Sequence, residues 1–221
     1  MTAHPTAHLA APDVGNLVVE GTAPYSWPWD GRLDASRLAL VAVGCQRWWA
    51  ERTSGVERAL AALGRAASAV RHAGGLVVAV RHGRPTGGTR RRSPLPRCGE
   101  VGWEFAASGV RGDVVVEAMG VDAFFGGSLD VHLRSLGRDT LVLGGLGLET
   151  AVYSTMTGAN DRGYECLALI DACAPHDPAV AERALSSITM SGGIFGAVGT
   201  SAALCAALAV PGAGAEERSG T

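Results

Sequence analysis

Five cysteines, at positions 45, 98, 166, 173 and 205, are the side chains of this 221-residue sequence best suited to nucleophilic chemistry. A thiol becomes a competent nucleophile only when a base and a nearby cation favour the thiolate. The choice of cation is narrow, because all 19 basic side chains are arginine and no lysine occurs. The odd number of cysteines and the lack of a CxxC pair argue against a disulfide framework and a zinc site. We therefore interpret the cysteines as reduced thiols and exclude mechanisms that need a lysine.

Composition limits the class of protein further. Apolar residues make up 47% of the chain and charged residues 18%, which suffices for a sizeable core in one domain. A formal net charge of −2 provides no positive field to attract nucleic acid or anionic lipid. The first residues lack a basic, apolar signal sequence, and no apolar run approaches the ~18 residues of a membrane span. These features predict a soluble cytoplasmic protein with neither a nucleic-acid nor a membrane partner.

Short apolar runs alternate with amphipathic segments and predict the elements that must position the reactive side chains. We predict strands over 38–44, 76–80, 114–116, 140–143 and 166–170, and helices over 53–73, 128–136, 150–162, 178–190 and 201–208. This alternation is typical of βαβ units, in which helices cover both faces of a parallel sheet. The predicted fold is a three-layer, doubly wound α/β domain over residues 37–210, with an irregular arm (1–36) and a flexible tail (211–221).

Residues 82–110 interrupt the alternation and predict a long loop, which in a compact domain is usually functional or mobile. The run Arg90-Arg91-Arg92 within it is interpreted as a solvated face, with contact to an anion or a partner as the alternative.

Ligands of open α/β sheets bind at the carboxyl ends of the strands, so the residues that leave each strand form the candidate site. Those residues are Gly44-Cys45-Gln46, Arg81-His82, Glu117-Ala118 and Gly145-Leu146-Gly147. Further motifs are Trp29-Asp30-Gly31, Val121-Asp122-Ala123-Phe124-Phe125, Ala159-Asn160-Asp161-Arg162-Gly163-Tyr164, Asp171-Ala172-Cys173 and Gly192-Gly193-Ile194-Phe195. Together they resemble the isochorismatase-like cysteine hydrolase family, especially its ureido and biuret hydrolase branch. The resemblance runs from about residue 25 to residue 208 and implies an isochorismatase-like α/β fold.

The resemblance also implies a triad of cysteine, aspartate and lysine, and this sequence differs at each of the three positions. Gly44 stands where the family pattern Asp-x-Gln has the aspartate. Ala118 replaces the lysine, and Ala151 replaces the cysteine that opens the helix after the fourth strand. Since the chain has no lysine elsewhere, the family's usual route to amide hydrolysis is closed. Removing one member of a buried charged pair leaves the other charge unpaired and costs roughly 3–5 kcal/mol, whereas removing both members need not. The loss of all three triad residues together is therefore physically coherent.

Seven further residues are candidates for lining a ligand pocket: Gln46, Trp48, His82, Leu146, Gly147, Glu149 and Tyr153. Cys45 is interpreted as a buried structural thiol that faces away from Gly44, because side chains alternate along a strand. Glu149 is interpreted as a carboxylate favoured by the dipole of its own helix. Small residues at the triad positions predict a larger and more apolar cavity.

No cofactor or metal is predicted. The run Gly144-Gly145-Leu146-Gly147 lacks the lysine of a phosphate-binding loop, and Asp130-Val131-His132 lies on a predicted helix without a third ligand nearby.

Three functions remain open, and whether the chain is an enzyme stays undecided. The first is a small-molecule pocket used for binding or for a non-hydrolytic step. The second is a non-catalytic partner subunit in a hetero-oligomer with an active paralogue. The third is an atypical C–N hydrolase in which Glu149 or His82 activates water. The family resemblance and the apolar segments 180–190 and 201–208 predict a homo-oligomer.

Overall fold

A computed structural model describes residues 17–84, 93–107 and 109–209, and within them six strands form one parallel sheet. The strands are β1 (Leu38–Val43), β2 (Leu76–His82), β3 (Val114–Ala118), β4 (Thr140–Leu146), β5 (Glu165–Ala174) and β6 (Ala197–Gly199). Their order across the sheet is β3-β2-β1-β4-β5-β6, and all neighbours are parallel. The predicted doubly wound α/β fold is confirmed, since the order runs outwards in both directions from β1 and β4.

Six α-helices accompany these strands in the described part of the chain. They are α1 (Arg47–Ala50), α2 (Val56–His72), α3 (Leu129–Ser135), α4 (Tyr153–Asn160), α5 (Pro178–Thr189) and α6 (Ser201–Leu208). A π-helical turn over Leu148–Val152 precedes α4. The sequence patterns predicted five of the helices to within a few residues, whereas α1 and β6 were missed because four and three residues are too short to show a period.

Helix α2 shows how the sequence forms these elements. Leu60, Leu63 and Val70 recur at helical spacing and are buried, with alanines between them that allow close packing. Helix α2 packs against α6, whereas α4 packs against β5 and α5 packs against β6. Right-handed crossovers place these two sets of helices on opposite faces, because the strand order reverses between β1 and β4.

The reversal places a crevice at the carboxyl ends of β1 and β4. The register pairs Val43 of β1 with Gly145 of β4, so that Gly44 and Leu146 leave the sheet side by side. On the other side of β1, the register of β2 and β3 pairs His82 with Ala118. The residues that follow these strands therefore meet at one edge of the sheet.

The described part of the N-terminal arm is attached to the edge strand β6. The backbone of Ala23 exchanges two hydrogen bonds with Val198 of β6. The hydroxyl of Tyr25 donates to Glu165 Oε1 at 2.5 Å, and Trp29 and Leu33 are buried. Burial and this bond raise the pKa of Tyr25 above its usual value. Residues 1–16, the predicted tail and the arginine run at 90–92 lie outside the described residues.

The second half of the long segment after β2 returns over the end of β1. The N–H of Ala106 donates to Cys45 O, and the N–H of Arg47 donates to Glu104 O. Residues 93–107 therefore cover the carboxyl edge of the sheet beside α1. Among the described residues, no helix is long and apolar enough to cross a bilayer.

Candidate functional site

Gly44 ends β1 in a conformation that excludes most side chains. Its φ is +63°, in the left-handed region that favours glycine. A Cβ built on Gly44 would lie 2.7 Å from the carbonyl oxygen of Leu146 and 3.4 Å from Cδ2 of Trp49. Both the backbone angle and the space therefore require glycine at this point.

Gly147, which follows β4, faces the same indole. Its φ is +77°, and a Cβ there would lie 2.6 Å from Cζ3 of Trp49. Trp49 is 2% exposed and packs against both glycines. At Gly44, therefore, the indole of Trp49 fills the space between the ends of β1 and β4.

Trp49 is the centre of an aromatic cluster with Trp48, His82 and His176. Its ring stacks on His176 with centroids 5.0 Å apart and 18° between the planes. Trp48 and His82 approach it edge-on, at 5.1 and 6.0 Å. Such contacts stabilise a buried indole beyond the burial of its area.

His82 is held as a neutral ring with a defined tautomer. Its Nδ1 lies 2.8 Å from Gly120 O, and because a carbonyl can only accept, Nδ1 carries the proton. Burial lowers the pKa of His82 to about 4, against the smaller raising effect of the Gly120 bond. Nε2 is buried without a partner among the described residues. His82 is therefore a weak base that is shielded from solvent.

Gln46 is buried and bridges separate segments of the chain. Its side chain is buried, accepts the N–H of His82 at Oε1 over 2.6 Å and donates from Nε2 to Trp103 O over 3.2 Å. This residue therefore ties the start of α1 to β2 and to the covering segment.

Glu149 lies in the first turn of the π-helical segment after β4, and its carboxylate also contacts a neighbouring helix. Its Oε1 accepts the N–H groups of His176 and Asp177, at 2.9 and 2.8 Å, in the segment that leads into α5. No side-chain cap forms at the start of the π-helical turn that contains Glu149. The carboxylate thus stabilises a neighbouring helix entry, because the chain after β5 returns next to the chain after β4.

The other predicted residues do not line the cavity described below. Ala118 ends β3 and Ala151 lies in the π-helical turn after β4, and both are fully buried. Leu146 belongs to the core. Tyr153 packs edge-on against Phe195, with ring centroids 5.9 Å apart.

Burial keeps the thiols near the sheet protonated. Cys45, Cys166 and Cys173 are buried, and burial raises the pKa of Cys45 and of Cys173 to about 12. Burial also raises the pKa of Cys166 above its usual value. Cys45 directs Sγ towards Val43 O at 3.7 Å. None of these three thiols has the cationic surroundings that create a thiolate.

A cavity of about 230 Å³ opens beside the aromatic cluster at this edge of the sheet. Trp48, Trp49, Pro94, Leu95 and Val121 form its apolar walls, and Ser93, Gly120, Thr150 and His176 complete the lining. Of the seven predicted lining residues, Trp48 borders this cavity. His176 was missed, although it follows the carboxyl end of β5 and the strand-end rule applied there would have found it.

No group of three or more His, Cys, Asp or Glu side chains that could hold a metal ion occurs in residues 17–84, 93–107 and 109–209.

Residues 38–203 match the family profile described as "Isochorismatase domain". The chain belongs to the isochorismatase family. The match runs from the first residue of β1 into α6 and includes every residue of the cluster and cavity. The N-terminal arm lies before it.

Solved structures of isochorismatase-like proteins share this fold. A cysteine hydrolase from Pseudomonas syringae pv. phaseolicola 1448A superposes with a TM-score of 0.71 at 22% identity, over 80% of this chain and 94% of that one. An isochorismatase family protein from Burkholderia thailandensis superposes with a TM-score of 0.64 at 27% identity, over 78% of this chain and 96% of that one. N-carbamoylsarcosine amidase from Thermoplasma acidophilum superposes with a TM-score of 0.63 at 25% identity, over 75% of this chain and 96% of that one.

Proposed function

We propose that this isochorismatase family member has lost the cysteine-hydrolase triad and uses the carboxyl edge of its sheet to bind a small molecule. The observation that carries the proposal is the packing of Trp49 against Gly44 and Gly147. In the family resemblance, Gly44 takes the place of the catalytic aspartate. Here the indole occupies the space beside Gly44, and the backbone angle disfavours any carboxylate there.

Ala118 and Ala151 support the same proposal. Both side chains are methyl groups buried near the strand ends, so neither supplies a cation or a nucleophile. No lysine elsewhere in the sequence can substitute. The cavity beside Trp48 and Trp49 remains as a place where a ligand can bind.

The two groups considered for activating water have other roles in the structure. His82 is buried and has a pKa of about 4, which makes it a poor base near neutral pH. Oε1 of Glu149 accepts hydrogen bonds from two backbone N–H groups at the start of α5, and its Oε2 is buried. These contacts favour binding over an atypical C–N hydrolase.

Hydrolysis assays and native mass spectrometry together test the proposal. We expect no turnover of biuret, ureidoacrylate or nicotinamide. N-carbamoylsarcosine amidase from Thermoplasma acidophilum, assayed on N-carbamoylsarcosine, is the positive control. Native mass spectrometry of the protein purified from its source is expected to show a retained small molecule. Turnover that is abolished by Cys45→Ala would overturn the loss of thiol chemistry.

A second candidate function is that of a non-catalytic subunit, and an exposed apolar patch favours it. Trp27 is 52% exposed and Ile194 55% exposed, and the two line one surface depression. Exposed large apolar groups that adjoin are typical of contacts between proteins. We propose that this face contacts a second copy of the chain or an active relative.

Sedimentation velocity distinguishes these assemblies. An oligomer of the chain alone that dissociates in Ile194→Ser supports self-association. A complex that forms only after mixing with an active family member from the same source supports the partner role. A monomer at micromolar concentration in both experiments would rule out both.

A further inference from the structure

The cavity at the carboxyl edge has walls suited to an uncharged ligand. Trp48, Trp49, Pro94, Leu95 and Val121 present apolar surface to it. Among the described residues, no Asp, Glu or Arg side chain lines the cavity. A charged group would lose its hydration against these apolar walls, which is unfavourable. The walls therefore favour an uncharged ligand.

Its size and shape indicate a flat ligand. A cavity of about 150 Å³ with apolar walls holds benzene. The present cavity measures about 230 Å³, which leaves room for a second fused ring. Trp48, which is partly exposed, and Pro94 offer flat apolar surface in the walls for contact with an aromatic ligand.

His176 provides a hydrogen-bonding group in this lining, and the contacts of its Nδ1 show which ring nitrogen carries the proton. Its Nδ1 lies 2.9 Å from Arg52 O and 3.0 Å from Thr53 Oγ1, whose hydroxyl donates to Trp49 O. Because a carbonyl only accepts, Nδ1 carries the proton, which leaves Nε2 as the nitrogen that can accept a hydrogen bond. The stack on Trp49 fixes the plane of this ring.

From these observations we infer that the cavity binds a neutral, planar, aromatic molecule of about the size of indole, which donates one hydrogen bond to Nε2 of His176. The inference rests on the proposed function, since it assigns a ligand class to the same cavity. The apolar walls supply most of the affinity, and the hydrogen bond to His176 discriminates between rings of equal shape.

Calorimetric titration with two ring systems of equal shape tests the inference. Indole carries an N–H donor, whereas benzofuran has an oxygen at the same place and no donor. We expect indole to bind about 5–10-fold more tightly than benzofuran, because the net contribution of one hydrogen bond is of this size. Indole-5-carboxylate, which is anionic, is expected to bind more weakly than indole.

The variant His176→Phe isolates the hydrogen bond. Phenylalanine keeps an aromatic ring against Trp49 and removes Nε2, so indole should weaken to the affinity of benzofuran while benzofuran is unchanged. Leu95→Trp fills the cavity and should abolish binding of both ring systems. The control Ser187→Ala, on the exposed surface of α5, should change neither affinity.

The possible outcomes separate this inference from the proposed function. Equal affinity for indole and benzofuran, or tighter binding of the carboxylate, would overturn the ligand class. Failure of both ring systems to bind, together with a charged molecule retained in native mass spectrometry, would overturn it and leave the binding function intact. Turnover by a thiol mechanism would overturn the proposed function itself.

Discussion

Trp49 stacks on His176 with 5.0 Å between the ring centroids and 18° between the planes, although the first follows β1 and the second follows β5. The contact bridges the carboxyl ends of strands on both sides of β4. It also makes one wall of the cavity continuous with the buried core, because Trp49 is 2% exposed. Substitutions at this contact should therefore affect both stability and binding.

The first prediction concerns the indole itself. Trp49→Ala should lower the free energy of unfolding by ~3–5 kcal/mol, because it removes a buried aromatic ring and leaves a cavity. Trp49→Phe should cost less, since much of the ring volume remains. Urea denaturation followed by far-UV circular dichroism measures both. Trp27→Ala is the matched control, and its cost should stay below ~1 kcal/mol because Trp27 is 52% exposed. Equal costs for Trp49→Ala and Trp27→Ala would contradict the burial of Trp49.

The second prediction separates backbone strain from steric contact at Gly44. Gly74→Ala, at φ +86° with open space around it, should cost ~1–2 kcal/mol from the left-handed conformation alone. Gly44→Ala should cost more, because its Cβ would also lie 2.7 Å from the Leu146 carbonyl oxygen. Gly64→Ala, inside α2 and also in open space, should instead stabilise by ~0.5–1 kcal/mol. Thermal and urea denaturation of the three variants should give this order, and equal effects at Gly44 and Gly74 would exclude the contact with Leu146.

The third prediction concerns pH. Burial lowers the pKa of His82 from 6.5 to about 4, so between these values the unfolded chain binds the proton that the folded protein excludes. The free energy of unfolding should consequently fall as the pH drops from about 6.5 to about 4, by up to ~3 kcal/mol from this residue. Denaturation of the native protein and of His82→Gln across this range isolates the contribution. If the two proteins show parallel pH profiles, His82 is not buried in its neutral form.

The fourth prediction concerns the thiols. Cys98 is exposed and should be alkylated by iodoacetamide in the folded protein at pH 8, whereas Cys45, Cys166 and Cys173 should be protected. Protection follows from burial and, for Cys45, from a pKa raised to about 12. Mass spectrometry of the digested protein locates the labels, and unfolding in urea before labelling provides the control. Rapid labelling of Cys45 in the folded state would show that its surroundings are open.

Of the elements that the structure describes, the sequence by itself determined five of six strands, five of six α-helices and their order along the chain. Apolar runs such as residues 38–44 and the helical spacing of Leu60, Leu63 and Val70 are local patterns, and the backbone period converts each of them into a strand or a helix. The alternation of these elements then fixes a parallel sheet, and the chirality of the crossovers brings Gly44, His82 and Ala118 to one edge. The family resemblance rested on these same strand ends, and the domain match over residues 38–203 confirms the family.

Tertiary structure decided what occupies that edge. Two adjacent tryptophans after β1 do not reveal which ring turns inwards, because the direction of Trp49 depends on Gly147 and His176, which are distant in the chain. The sequence places Glu149 at the start of its own helix. Its Oε1 also accepts backbone N–H groups at the entry to α5, and only folding brings these groups near. Local periodicity sets the elements because it acts within one turn or one pleat. Side-chain packing between separate strand ends depends on distances that no local pattern contains, and it was this packing that filled the space beside Gly44 and left the cavity next to it.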